Sequence, residues 1–443
     1  MSKRIRVWLA LLALTVAASG QPITAPNRAD IMAARATPAR RVVLPNGMTI
    51  LLKESPAHDF VAIEMLCQVG LANEDSPTAG LIALWEKLLQ DRLDDATENN
   101  YRVVSKSVGL EPDFLRFSVV GPSKDAPVMV KALSEIVANS SYDETEVAKK
   151  RRQLKDEIES GGGENNQLYS IFRVLFYRIH PYRRQHTGGT LALDRVNAKV
   201  LTEFHQKYLV PNRVVLSVVG RYDRLETEAE LKEAFGPIKS NQTMDLSVPW
   251  EPKAQEKRID LHTGADLGWV VFGYPAPTAS SEDHIPMMLI RAILSDGLSS
   301  RLFNEIREKR GLSYTISSVH PDLKGPGHFL TYVVTKPADV GKVRREILKQ
   351  VEIMQKEPLL PRELAEAKEK VRGAFLLESE TVQGTAFRLA RAEMIGLGYL
   401  YEENFEKNLK KVTSEDVRRV AETYLHDPTI IIARPAGRFY FDG

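Results

Sequence analysis

The chain has a single cysteine, Cys67, in 443 residues, so no intrachain disulfide can form. No cysteine stands at the end of the N-terminal apolar run, which leaves a lipoprotein anchor without an attachment residue. A block of like charge is missing. Lys and Arg total 60 against 58 Asp and Glu, a formal net charge of +2, and no basic run marks a nucleic-acid footprint. The apolar run Val7–Ala18 falls short of the roughly 20 residues that a membrane span needs. Among the nine histidines no two stand four residues apart, the spacing that places two imidazoles on one helical face for zinc.

Lys3, Arg4 and Arg6 precede the apolar run, and the small residues Ala18, Ser19 and Gly20 follow it. This is the pattern of a secretory signal peptide cleaved near Gln21, rather than of a membrane anchor. Its removal takes three positive charges and brings the mature chain to about −1. An exported chain without disulfides fits a bacterial periplasm better than a eukaryotic secretory route. Cys67 belongs to the alternating series Val61, Ile63, Met65, Cys67 and Val69, which reads as the apolar face of a strand. It is expected to be a small core residue, not a reactive thiol.

With 43% hydrophobic residues, the chain is long enough for two or more cores. After an arm at 21–40, Arg41–Leu44 and Met48–Lys53 flank the hairpin signal Pro45-Asn46-Gly47. Strands are expected at 60–69, 114–120 and 214–219. Helices are expected near 79–91, 126–138, 143–160, 167–178 and 197–208. This plan then repeats. Tyr208-Leu209 recurs as Tyr424-Leu425 at an offset of 216, each pair closing a helix that runs into an apolar strand. Glu146-Val147-Ala148 recurs as Glu363-Leu364-Ala365 at 217, and the strands at 113–120 and 328–335 lie 215 apart. Near-equal offsets of this size indicate one duplicated α/β unit, not a solenoid. The expected fold class is α+β, with units at 41–240 and 258–443 joined by a linker at 241–257.

Several segments carry a family likeness in order along the chain. They are Leu44-Pro45-Asn46-Gly47, Gly80-Leu81, Leu154-Lys155-Asp156-Glu157-Ile158, His180-Pro181-Tyr182 and Tyr208-Leu209-Val210-Pro211-Asn212. The most specific are Leu298-Ser299-Ser300-Arg301-Leu302-Phe303 and Arg307-Glu308-Lys309-Arg310-Gly311-Leu312-Ser313-Tyr314. From Arg41 to Gly437 the chain resembles the insulinase/pitrilysin/mitochondrial-processing-peptidase family of zinc metallopeptidases. The resemblance implies two duplicated units forming a half-shell, with the second half-shell supplied by another subunit.

Active members of that family bear H-x-x-E-H on the helix matching 79–91, with a downstream Glu as third zinc ligand. Here those five positions read Ala83, Leu84, Trp85, Glu86 and Lys87, and Glu157 matches the downstream ligand. The resemblance thus implies a degenerate zinc site of Ala83, Glu86, Lys87 and Glu157. The general-base position survives, both His ligands are lost, and no metal or other cofactor is expected in this chain. An ammonium at Lys87 is expected to offset the two carboxylates, so that Lys87→Ala costs a few kcal/mol.

Ser299–Lys309 reads as a helix stopped by Gly311, with Arg307 in its last turn and Tyr314 opening the next strand. A cation at a helix C-terminus and a tyrosine in a strand are unremarkable on their own. The resemblance gives them another use, since active members place an Arg and a Tyr at this spacing to hold substrate carbonyls and stabilise the tetrahedral intermediate. Gly161-Gly162-Gly163 is expected to be a helix-ending turn, and Lys149-Lys150-Arg151-Arg152 a solvated helical face.

The function expected from all this is a non-catalytic, substrate-binding subunit of a periplasmic heterodimeric zinc metallopeptidase, with Arg307 and Tyr314 as substrate-binding residues. Zinc is expected in the partner subunit, and a peptide or unfolded protein as substrate. Neither nucleic acid nor a lasting membrane span is expected. The alternative is a structural subunit with no proteolytic role.

Overall fold

In the computed structural model, residues 38–56, 59–74, 76–98, 102–160, 167–241, 257–264 and 266–436 are described. The expected signal segment, most of the arm, Gly161–Gly163 and nearly all of the expected linker lie outside them.

The first sheet contains β1 (Arg40–Val43), β2 (Thr49–Glu54), β3 (Phe60–Cys67), β4 (Ser105–Leu110), β5 (Leu115–Pro122) and β6 (Val214–Gly220), in the order β1-β2-β6-β3-β5-β4. The second contains β7 (Lys257–Thr263), β8 (Gly268–Ala276), β9 (Ser313–Val319), β10 (Gly327–Thr335) and β11 (Thr429–Pro435), in the order β7-β11-β8-β10-β9. In each sheet one pair is parallel, β2 with β6 and β7 with β11, and the other pairs are antiparallel. Apart from the extra strand β1, the two sheets share one topology, as a duplication requires. The fold is α+β.

Helices α1 (Leu81–Thr97), α2 (Ala126–Ala138), α3 (Glu144–Glu159), α4 (Gln167–Phe176), α5 (Ala198–Tyr208) and α6 (Arg224–Phe235) belong to the first half of the chain. The second half supplies α7 (His284–Leu294), α8 (Val340–Lys356), α9 (Pro361–Leu377), α10 (Val382–Met394), α11 (Tyr401–Lys411) and α12 (Ser414–Tyr424). Local chemistry fixes several starts. The Asp143 carboxylate accepts from the amides of Thr145 and Glu146 at α3, and Thr413 forms a capping box with Asp416 at α12.

Both faces of each sheet are apolar, so each must be covered twice. On one face of the first sheet, Val61, Ile63, Met65 and Cys67 of β3 meet Leu84, Trp85 and Leu88 of α1 and Met129 and Leu133 of α2. The other face presents Ala62 and Leu66, and the cover comes from the far half of the chain: Ala386, Leu389 and Ala390 of α10. The converse holds on the second sheet, where Phe172 of α4 packs on Val271, Leu330 and Ile431. The starts of α4 and α10 are 215 residues apart, the offset of the repeat, so the two units exchange equivalent helices. Helix α4 thus covers the second sheet, and α10 covers the first. Gly273 in β8 makes the exchange sterically feasible, because a Cβ there would lie 2.1 Å from Phe172 Cε2.

Candidate functional site

Gly80 enters α1 at φ +96°, and a Cβ there would sit 2.5 Å from the Thr187 carbonyl oxygen. The buried Glu74 carboxylate accepts the first free amides of α1, from Gly80 at 2.8 Å and Ile82 at 3.0 Å. Burial pushes the Glu74 carboxyl up to about 7, against those hydrogen bonds. The helix that carries Ala83, Glu86 and Lys87 therefore starts from a fixed point.

Ala83 is part of the first core, together with its neighbours Leu84 and Trp85. The indole N–H of Trp85 donates to the Tyr142 hydroxyl, which in turn lies 2.8 Å from Nδ1 of the buried His205. His205 Nε2 completes the chain at the Val137 carbonyl, 3.2 Å away. Glu86 is half-buried and accepts from the Leu110 backbone amide. Desolvation raises its carboxyl to about 7, with the Lys87 charge pulling it down and Glu111 pushing it further up. Lys87 Nζ lies 2.9 Å from Glu157 Oε2 and 3.1 Å from Oε1, across the α1–α3 contact.

The structure thus brings Lys87 and Glu157 together, and it corrects the expected energetics. These side chains are 33% and 48% exposed, so this is a solvent-screened pair and not a buried one. Glu157 faces water, and Glu86 meets its desolvation partly by staying protonated near neutrality.

Arg307 and Tyr314 lie beside the second sheet, at its edge strand β9. The expected α-helix through Lys309 is wound as a π-helix over Phe303–Glu308, closed by a hydrogen bond from the Lys309 amide N–H to the Asn304 carbonyl. The wider turn is a feature frequent at functional positions. Gly311 at φ +62° ends it, as its place in the sequence requires. Arg307 stacks over Phe303, 4.8 Å from the ring centroid, and its Nη1 donates to the Tyr314 carbonyl at 3.2 Å. The Tyr314 side chain is 85% exposed. Arg and Tyr are therefore held adjacent by the main chain, with the phenol free of any packing duty.

Sequence reading missed a second set of polar groups. Glu64, wholly buried in β3, receives a two-point contact from Arg116 at 2.7 and 2.8 Å and the Ser118 hydroxyl at 2.6 Å. Asp322 joins His284 Nε2 at 3.0 Å and Arg391 at 2.9 Å. No spacing along the chain signals these groups, since their members come from separate elements. Among the described residues, no three His, Cys, Asp or Glu side chains come together to hold a metal ion, and no helix is long and apolar enough to cross a membrane.

Comparison with known proteins agrees with this architecture. Residues 195–371 match the family model described as the Peptidase M16 inactive domain. An uncharacterized zinc protease of Mycobacterium leprae is 26% identical over 421 residues, covering 91% of this chain and 93% of that protein. The fold matches that of a protease from Helicobacter pylori with a TM-score of 0.81 at 20% identity, over 90% of this chain and all of that one (100%). A peptidase M16 inactive domain from Pseudomonas fluorescens gives a TM-score of 0.81 at 18% identity, over 90% and 98% of the two chains. These matches support the insulinase-like M16 peptidase family that the sequence resembles.

Proposed function

We propose that this chain is the non-catalytic, substrate-binding subunit of a periplasmic heterodimeric zinc peptidase. Arg307 and Tyr314 engage the carbonyls of a peptide bound at the partner's zinc. The observation that carries this reading is the pairing of Arg307 with the Tyr314 carbonyl beneath a fully presented phenol. Guanidinium and phenol are donors suited to an oxyanion, and a fixed main-chain link spares the cost of orienting them. The Lys87–Glu157 pair supports the same division of labour, because an ammonium stands beside the carboxylate that matches the family's downstream zinc ligand. The zinc of the partner subunit would supply the activated water, and this chain would bind and orient the peptide.

The test is reconstitution with an M16 subunit from the same genome that retains H-x-x-E-H. Removing an oxyanion donor costs about 10²–10³ in turnover, so Arg307→Ala and Tyr314→Phe should lower peptide cleavage by that order while assembly and melting temperature hold. Near-normal turnover by both variants would favour the structural-subunit reading.

A further inference from the structure

His284 opens α7, and Met288 follows one turn later on the same helical face. Both line a cavity of about 190 Å³ with His320, which lies just beyond β9. The two imidazoles are 1% and 5% exposed, and their centroids are 4.9 Å apart. His284 Nε2 faces an Asp322 carboxylate oxygen at 3.0 Å. A carboxylate only accepts, so Nε2 carries a proton, and Nδ1 is the ring nitrogen left to bind a ligand. That Nδ1 and both ring nitrogens of His320 have no hydrogen-bond partner. Buried polar atoms left unpaired are costly, and these three imidazole nitrogens, beside a cavity that Arg388 with its own unpaired Nε also lines, call for an occupant.

The walls define its chemistry. Both Asp322 oxygens are engaged, one by His284 and one by Arg391 at 2.9 Å, so no carboxylate there is free for a hard cation. Each guanidinium lining the cavity has its own carboxylate: Arg391 also meets Glu378 at 3.7 Å, Arg388 meets Glu402 at 2.6 Å, and Arg291 meets Asp296 at 3.0 Å. Glu378 is 58% exposed and lines the same cavity, which gives a route from solvent. What remains to coordinate is two imidazoles and a thioether.

We propose that this cavity is a Cu(I) site, held by Nδ1 of His284, a ring nitrogen of His320 and the sulfur of Met288. Imidazole with thioether is the soft donor set that selects Cu(I) over harder ions, and a monovalent ion adds little charge among the paired arginines. Asp322 takes the orienting role that a carboxylate plays behind a metal-ligating histidine. The site is independent of the peptidase reading, because it uses none of the residues assigned to peptide binding.

The experiment is anaerobic competition between the mature chain and the chromophoric Cu(I)–bicinchoninate complex at neutral pH. One equivalent of Cu(I) should pass to the protein, and Met288→Leu and His320→Leu should each weaken its capture about tenfold or more. Met288→Leu conserves volume, and His320→Leu removes a polar ring that has no hydrogen bond, so both should fold, as circular dichroism will report. The two lie on different elements, so either folded variant suffices. A wild-type chain that withdraws no Cu(I) overturns the proposal. So does a folded variant that binds as tightly as wild type, or displacement of the copper by equimolar Zn²⁺.

Discussion

The Lys87 ammonium bridges both carboxylate oxygens of Glu157, at 2.9 and 3.1 Å, while its charge also reaches the half-buried Glu86 one residue earlier in the chain. One cation thus serves two carboxyl groups in different ways. The contact with Glu157 is solvent-screened, and the influence on Glu86 partly offsets the burial that holds that carboxyl up.

Lys87→Ala should therefore destabilise the fold by only about 0–1 kcal/mol, the range for an exposed pair. Urea denaturation at low and high salt checks this. The small loss should shrink further as salt rises.

Glu86 governs a pH effect. Its folded carboxyl lies at about 7, above the unfolded value near 4.5, through burial. A raised folded value means that the stability tied to this proton is fully present below about 4.5 and is lost as pH climbs through 7. Glu86→Gln should match wild type near pH 4 and exceed it near pH 8 by on the order of 1 kcal/mol. Chemical denaturation of both proteins across that window is the measurement, with Glu74 contributing an equal background to each.

The Trp85–Tyr142–His205 chain predicts a larger loss. Tyr142→Phe keeps the ring but strips a buried indole N–H of its acceptor and His205 Nδ1 of its partner. Each orphaned group costs about 1–3 kcal/mol, so thermal and urea midpoints should fall clearly below wild type.

The helix exchange makes the two halves interdependent. Phe172→Ala removes a wholly buried ring from the second sheet and should cost about 3–5 kcal/mol. Gly273→Ala should also destabilise, by driving a methyl into that ring from the opposite side. Because α4 and α10 tie both sheets together, each variant should unfold in one transition by tryptophan fluorescence and circular dichroism alike.

Much of this protein was legible in its sequence because the signals were local. The alternation Val61, Ile63, Met65, Cys67 placed β3, and its side chains do line the first core. The 215-residue offset announced a duplicated topology, and Gly311 marked the end of the turn that carries Arg307. The π-wound turn was not legible, since a five-residue hydrogen-bond register leaves no periodicity distinct from an α-helix over six residues.

Which sheet each helix covers was decided only in three dimensions. An amphipathic helix at 167–176 states that it must bury a face, not against which of two equally apolar sheets. Burial of individual charges was likewise a tertiary decision. Lys87 and Glu157, 70 residues apart, meet at a wet helix contact, whereas Glu64 lies wholly inside a sheet and needs Arg116 and Ser118 to be there. Sequence fixes which groups can pair. The dielectric around them, and so the strength of the pairing, exists only once the chain has packed.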